Sequence, residues 1–341
     1  MKKSINIFIV AADSIGLRVD TKVVASALAT ISSEMDIGVV LHEVNVPRRA
    51  LNTSDNSVAL EFPVEPHIII NLEQIYKLSD PRASNALHIL IPNPEWISPV
   101  SGARIFQMSE IWHKTHYSKL VFQNAFPEKR HIYIGFTSID PGYNAHHNRN
   151  FAHFKGKSVT RNSEKILSIW YRRRDLPELK LQFFTNALEA DFFAFPEWLN
   201  WQNISVKMGN VSNEDYFEGL SSAGIHLCTS EVEGFGHYIN ESRAMGAVII
   251  TTDAPPMNEL IDSQSGVLIS PLSTTQMSLG FRHLISEESI EEAINQVLKI
   301  SDEELMLIRK NARKRYLKDR QNFITQIQNT FSNLVVRHLT V

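Results

Sequence analysis

Cysteine is almost missing from this chain. Cys228 stands alone among 341 residues, so no intrachain disulfide can form, and that usage suits a reducing compartment. An excess of either charge is missing too. The 34 basic and 37 acidic residues leave a formal net charge of −3, which gives no electrostatic reason to expect nucleic acid as a partner. Long apolar runs are also absent. The stretch from Ile5 to Ala12 is too short to span a bilayer, and Asp13 closes it without a small-residue cleavage site, so it reads as a first strand. P-loops and serine nucleophile elbows are not found. His146 and His147 lack the carboxylate or cysteine pattern of a metal site, and no metal is expected. A cytoplasmic location follows as the expectation.

What is present is an alternation. The length suffices for two domains, each burying its own core. "INIFIVAA", "IGVVLHEV", "HIIINL", "LHILIPN" and "HIYIGFT" are strand candidates in the first half. "HFKGK", "LKLQFF", "ISVKMG", "GIHLCTS" and "AVIITTD" continue the series in the second. Short, Ile- and Val-rich and apolar nearly throughout, they suit strands buried on both faces of a parallel sheet. Amphipathic segments such as Asp20 to Ser32, Ser163 to Arg174 and Glu214 to Ala223 separate them, which implies repeated βαβ units and doubly wound sheets. The polar stretch from Ser138 to Asn150, with Pro141 and Gly142, is the best boundary. After Ser270 the pattern turns helical, over Glu287 to Ile300, Asp302 to Lys318 and Gln321 to Val336.

The stretch "SEVEGFGHYINESRAMGAVII", Ser230 to Ile250, sits after one apolar strand and runs through a helix into another. In open α/β sheets, ligands bind beyond the carboxyl ends of strands, where helix N-termini present free N–H groups. Gly234 and Gly236 let the chain turn sharply and approach a ligand closely. Glu241, a helical turn further on, can accept hydrogen bonds from a ribose diol. By spacing alone, Glu233 reads as a helix-dipole partner and Glu241 as a solvated surface residue.

The surrounding residues shift that reading. Glu233, Gly234, Phe235, Gly236, Glu241, Ala244, Gly246, Asp253, Pro256 and Glu259 resemble the donor-binding signature of retaining nucleotide-sugar glycosyltransferases with the GT-B fold, especially family 4. His237 stands where that family usually has an apolar residue. "HFKGKSVTRN" resembles the family's basic element, with Lys157 and Arg161 exchanged in type and one residue closer. Cations there stabilise the charge that develops on a leaving nucleoside diphosphate. Gly209 and Asn210 are similar to residues bordering the nucleotide base, while Tyr216 and Phe217 read as core residues of the following helix.

The resemblance implies α/β architecture of GT-B type: two Rossmann-like doubly wound parallel-sheet domains facing a cleft, with C-terminal helices. Residues 1–140 would form the acceptor domain, 141–150 a linker and 151–320 the donor domain, with the helix over 321–341 packing back on the first. Glu233, Lys157 and Arg161 would be catalytic. Gly16, Gly209, Ser230, Gly234, Phe235, Gly236, His237 and Glu241 would bind the donor. Gly16 is expected in a loop before a helix starting near Val19. Asn71, Glu73, Asn93, Glu95, Lys114 and Thr115, with His113 and His116 beside them, lie at strand ends on the acceptor side, where loop or capping chemistry is the competing reading.

The implied reaction needs no enzymic nucleophile: attack on the front face of the sugar retains configuration, and the departing phosphate takes the acceptor's proton. No cofactor is implied beyond a UDP- or GDP-sugar co-substrate. Asp-x-Asp is absent, so transfer should be metal-independent. The acceptor would be a glycan, a lipid-linked or another hydroxyl compound, as in polysaccharide biosynthesis, with peripheral contact to the inner face of a membrane. A GT-B epimerase or phosphorylase is the alternative chemistry, the first needing acid/base groups around the sugar and the second a pyridoxal-phosphate lysine or a longer chain. A non-catalytic sugar-nucleotide-binding subunit should lack one of the two signatures, and both are here.

Overall fold

Apolar runs become buried parallel strands in both halves of the chain. The computed structural model describes residues 4–33, 38–52, 54–155, 159–183, 202–209 and 212–339. Two units emerge: Met1–Ile139, Gln276–Phe281 and Asp319–Val341 form the first, and Asp140–Thr275 with Arg282–Lys318 the second.

The first unit opens with β1 (Ser4–Ala12), α1 (Ile15–Ala29) and β2 (Gly38–Val46). Three short strands, β3 (Leu51–Asn52), β4 (Ser57–Val58) and β6 (Lys77–Leu78), pair in a small separate sheet. Its main elements continue with β5 (Ile68–Glu73), β7 (Leu87–Pro92), α2 (Pro99–Ala103), β8 (Glu110–His113), α3 (His116–Ala125) and β9 (His131–Tyr133). The large sheet runs β2-β1-β5-β7-β8-β9, parallel throughout. Phe8, Val10, Val46 and Ile69 pack one cluster, and Leu90, Ile105, Ile111 and Phe122 another. Two expectations need correction. Helix α1 begins at Ile15, because the Ser14 hydroxyl caps it by accepting from Leu17 N–H at 3.3 Å, so exposed Gly16 lies in its first turn and not in a loop. Strand β9 stops at Tyr133, since Gly135 takes φ +69 and the chain leaves the sheet.

The second unit holds β10 (Phe151–Lys155), α4 (Ser163–Arg172), β11 (Leu179–Phe183), β12 (Ile204–Met208), α5 (Asn213–Ser221), β13 (Ile225–Cys228), α6 (His237–Met245), β14 (Val248–Thr252), α7 (Met257–Leu260) and β15 (Val267–Ile269). Its sheet runs β12-β11-β10-β13-β14-β15, again parallel. Phe151, Trp170, Leu227 and Ile250 are fully buried in its core. Then come strands β16 (Ser273–Met277) and β17 (Gly280–Leu284), α8 (Glu287–Lys299) and α9 (Asp302–His338). The hairpin corrects a purely helical reading after Ser270. The two helices expected over 302–318 and 321–336 are one, because no Gly or Pro interrupts α9. No described helix is long and apolar enough to cross a membrane.

Two histidines are sealed inside this unit. His153 Nδ1 meets Leu227 O and its Nε2 meets Ser163 Oγ, both at 2.8 Å. His226 Nε2 meets Leu220 O at 3.0 Å. Burial lowers each pKa to about 4. The unfolded chain therefore takes up protons first, and the stability held above pH ~6.5 is lost as pH falls toward the folded value. Urea unfolding should show this unit losing roughly 3 kcal/mol between about pH 6.5 and 5 from the pair, each slope growing from about half of ~1.4 kcal/mol per pH unit toward that full value as pH falls. A flat profile over that window would mean the imidazoles stay hydrated.

Candidate functional site

In the second unit's sheet, the winding reverses between β10 and β13, and the loops after these two strands flank that switch point. They are bonded to each other. Glu231 N–H donates to Thr160 O at 2.9 Å, Thr229 Oγ1 to Arg161 O at 2.8 Å, and Asn162 Nδ2 to Thr229 O at 2.8 Å. Two predicted residues meet here. Arg161 Nη2 stands 3.7 Å from Glu233 Oε1, and that oxygen also accepts from Ser230 Oγ at 2.7 Å. Arg161 Nη1 is held by Phe154 O at 2.7 Å, and its guanidinium lies 5.8 Å from the Tyr238 ring centroid. Both side chains keep a partly open face, at 20% and 17% exposure, so a fixed cation and a carboxylate remain reachable. Lys157 lies outside the described residues.

Helix α6 has Gly236 as its N-cap, whose φ of +98 favours glycine and whose missing side chain leaves the first N–H groups without a side-chain cap. A Cβ there would also stand 3.2 Å from Ile239 Cδ1 and 3.3 Å from Leu260 Cδ1. His237 and Phe235 set their rings at 5.4 Å, edge to face. Glu241 is buried in this helix, and Tyr216 Oη on α5 donates to its Oε2 at 2.6 Å. Burial raises the Glu241 carboxyl above its ordinary pKa, opposed by His237, the Tyr216 bond and Arg161. Tyr216 carries no local sequence sign of this bond and by its position alone reads as a core residue of α5. Gly209 follows β12 with φ +99. Asn210 lies outside the described residues. Sequence reasoning also missed Glu231, a buried carboxylate that accepts from Arg282 Nε on β17 at 2.7 Å.

The first unit brings some of the residues expected on the acceptor side into one bonded set. Asn93 Nδ2 donates to Glu73 Oε2 at 2.9 Å, and Lys114 Nζ donates to Asn93 Oδ1 at 2.9 Å and Asp20 Oδ2 at 2.6 Å. Asp20, which sequence reasoning did not single out, is a buried carboxylate within the apolar helical run of α1, and that placement is the signal that could have found it. Asn71 and Glu95 are buried, and Thr115 caps α3 by accepting from Ser118 N–H at 3.0 Å. His113 bonds Ser118 and His131 inside the unit.

Two parallel-sheet α/β units with a long terminal helix define the GT-B class, and solved structures agree. Sucrose-phosphate synthase from Thermosynechococcus elongatus is similar over 98% of this chain and 100% of its own, at a TM-score of 0.71 and 11% identity. HepE from Anabaena, solved with UDP and glucose, is similar over 98% and 100%, at 0.63 and 13%. A glycosyltransferase from Rickettsia africae follows over 99% of both chains, at 0.64 and 12%. Within that class, residues 200–315 match the family model of glycosyl transferases group 1, which covers the Glu233–Glu241 signature. No curated protein matches the chain.

Proposed function

We propose that this protein is a retaining glycosyltransferase that moves a sugar from a nucleotide-activated donor to a hydroxyl acceptor. One observation carries the reading: Arg161 and Glu233 meet at the second sheet's switch point, beside an uncapped helix N-terminus and a buried Glu241. The diphosphate would lie against Arg161, joined by Lys157, and the N–H groups of α6. Glu233 would hold the sugar and Glu241 the ribose. As the glycosidic bond breaks, Arg161 would stabilise the departing charge in place of a metal ion, and the diphosphate would take the acceptor's proton. HepE with UDP and glucose, and the pneumococcal transferase GtfA with UDP and GlcNAc, support a UDP-sugar as the first donor to try.

A thermal-shift screen over UDP- and GDP-sugars tests this. The matching donor at 100 times its dissociation constant should add about 2.7 kcal/mol of stability. A panel in which no nucleotide sugar shifts the transition, and none is turned over, would sink the proposal.

A further inference from the structure

The first sheet has a switch point of its own. Its order, β2-β1-β5-β7-β8-β9, reverses between β1 and β5, and Glu73 is the last residue of β5. The backbone there is strained. Glu73 takes φ +68, and Gln74 N–H donates across it to Leu72 O at 2.8 Å. A bond spanning two residues around a positive φ makes a γ-turn of the rare, strained kind. Side chains on either side hold it in place. Asn71, fully buried, gives Nδ2 to Ile89 O at 3.2 Å and takes Tyr76 N–H at 3.4 Å. Gln74 Oε1 accepts from Ser98 N–H at 3.0 Å and Ser101 Oγ at 2.8 Å, while its Nε2 donates to Trp96 O. Asn71 and Gln74 are clamps, and Glu73 between them is the residue presented. Backbone strain of this kind persists where its surroundings over-determine it, and it gathers at ligand sites.

The side chain is arranged with equal care. Glu73 is half-buried, and one of its oxygens is oriented by Asn93, which Lys114 orients in turn. Lys114 is neutralised by Asp20, their side chains only 1% and 4% exposed. This bonded set of Asp20, Lys114 and Glu73 thus carries a formal surplus of one negative charge, located on Glu73. Arg48, a further cation acting on Glu73, is itself exposed. An oriented carboxylate with no spare buried cation beside it accepts from hydroxyl groups and disfavours phosphates and carboxylates. Burial also pushes the Glu73 carboxyl above its ordinary pKa, making it a more basic acceptor.

We propose that Glu73 binds a hydroxyl of an uncharged sugar acceptor, with Asn93, Lys114 and Asp20 as the residues that position it; as an acceptor site, this rests on the glycosyltransferase reading above. Saturation-transfer NMR with methyl glycosides of glucose, galactose and mannose, and with the matching hexose phosphates, tests it without any donor. At least one glycoside should bind the wild-type chain more tightly than its phosphate and lose about 10-fold or more in affinity in Glu73→Ala. Glu73→Gly adds a readout that a structural role would not give. Glycine accepts the positive φ, so the melting temperature should hold or rise while glycoside binding is lost. Equal binding by wild type and Glu73→Ala, a hexose phosphate that binds more tightly, no glycoside binding, or a lowered melting temperature in Glu73→Gly would each overturn the proposal. Failure of the glycosyltransferase reading shows elsewhere, as the absence of any stabilising nucleotide sugar.

Discussion

Arg161→Ala should lower kcat by a factor of about 10² to 10³, with a far smaller change in donor KM, because only transition-state interactions accelerate the chemical step. The guanidinium is already fixed by Phe154 O and faces Glu233, so it has little reorganisation left to do as charge develops. A carbonyl, a carboxylate and an aromatic face around one arginine make a preorganised cation. Arg161→Lys should recover part of the loss, since a lysine supplies charge without the fork. Glu233 keeps its bond from Ser230 Oγ in either variant, which limits collateral disturbance. Steady-state kinetics with the donor found by thermal shift, with circular dichroism for integrity, make the measurement. Changes within a few-fold in both parameters would return Arg161 to the status of a basic loop residue.

The parts of this molecule legible in its sequence are those written locally. Glu233, Gly236 and Glu241 follow one another through a single loop and helix, so their spacing could be read directly. Parallel strands were legible because burial on both faces leaves nearly unbroken Ile and Val runs, as in β5 and β14. Strands β16 and β17 were not: Ser273–Met277 is polar and mostly exposed, which gives no apolar alternation to detect. Long-range pairs leave no local trace either. Tyr216 reaches Glu241 across 25 residues, and Lys114 reaches Asp20 across 94. The γ-turn at Glu73 is a third case, since Glu is not a residue that advertises a positive φ.

The Tyr216–Glu241 bond sharpens what Glu241 should do. One carboxylate oxygen, Oε2, takes the phenol, which fixes the rotamer and leaves Oε1 for a ribose hydroxyl. A hydrogen bond to a charged group contributes about 1.5–3 kcal/mol, so Glu241→Ala should weaken nucleoside diphosphate binding about 10- to 150-fold. Tyr216→Phe removes only the orienting bond and should cost less. Protonation argues the same way. The carboxyl is raised above its ordinary pKa, so affinity should begin to fall with decreasing pH before the usual carboxylate range is reached. The ligand itself provides the decisive control. Wild-type protein should prefer the ribonucleotide over its 2′-deoxy counterpart, and Glu241→Ala should have lost most of that preference, because the hydroxyl and the carboxylate are partners. Isothermal titration of the two proteins with the two nucleotides closes the cycle. If the deoxy penalty survives intact in Glu241→Ala, the ribose is held by another residue and Glu241 serves the packing of α6 against α5.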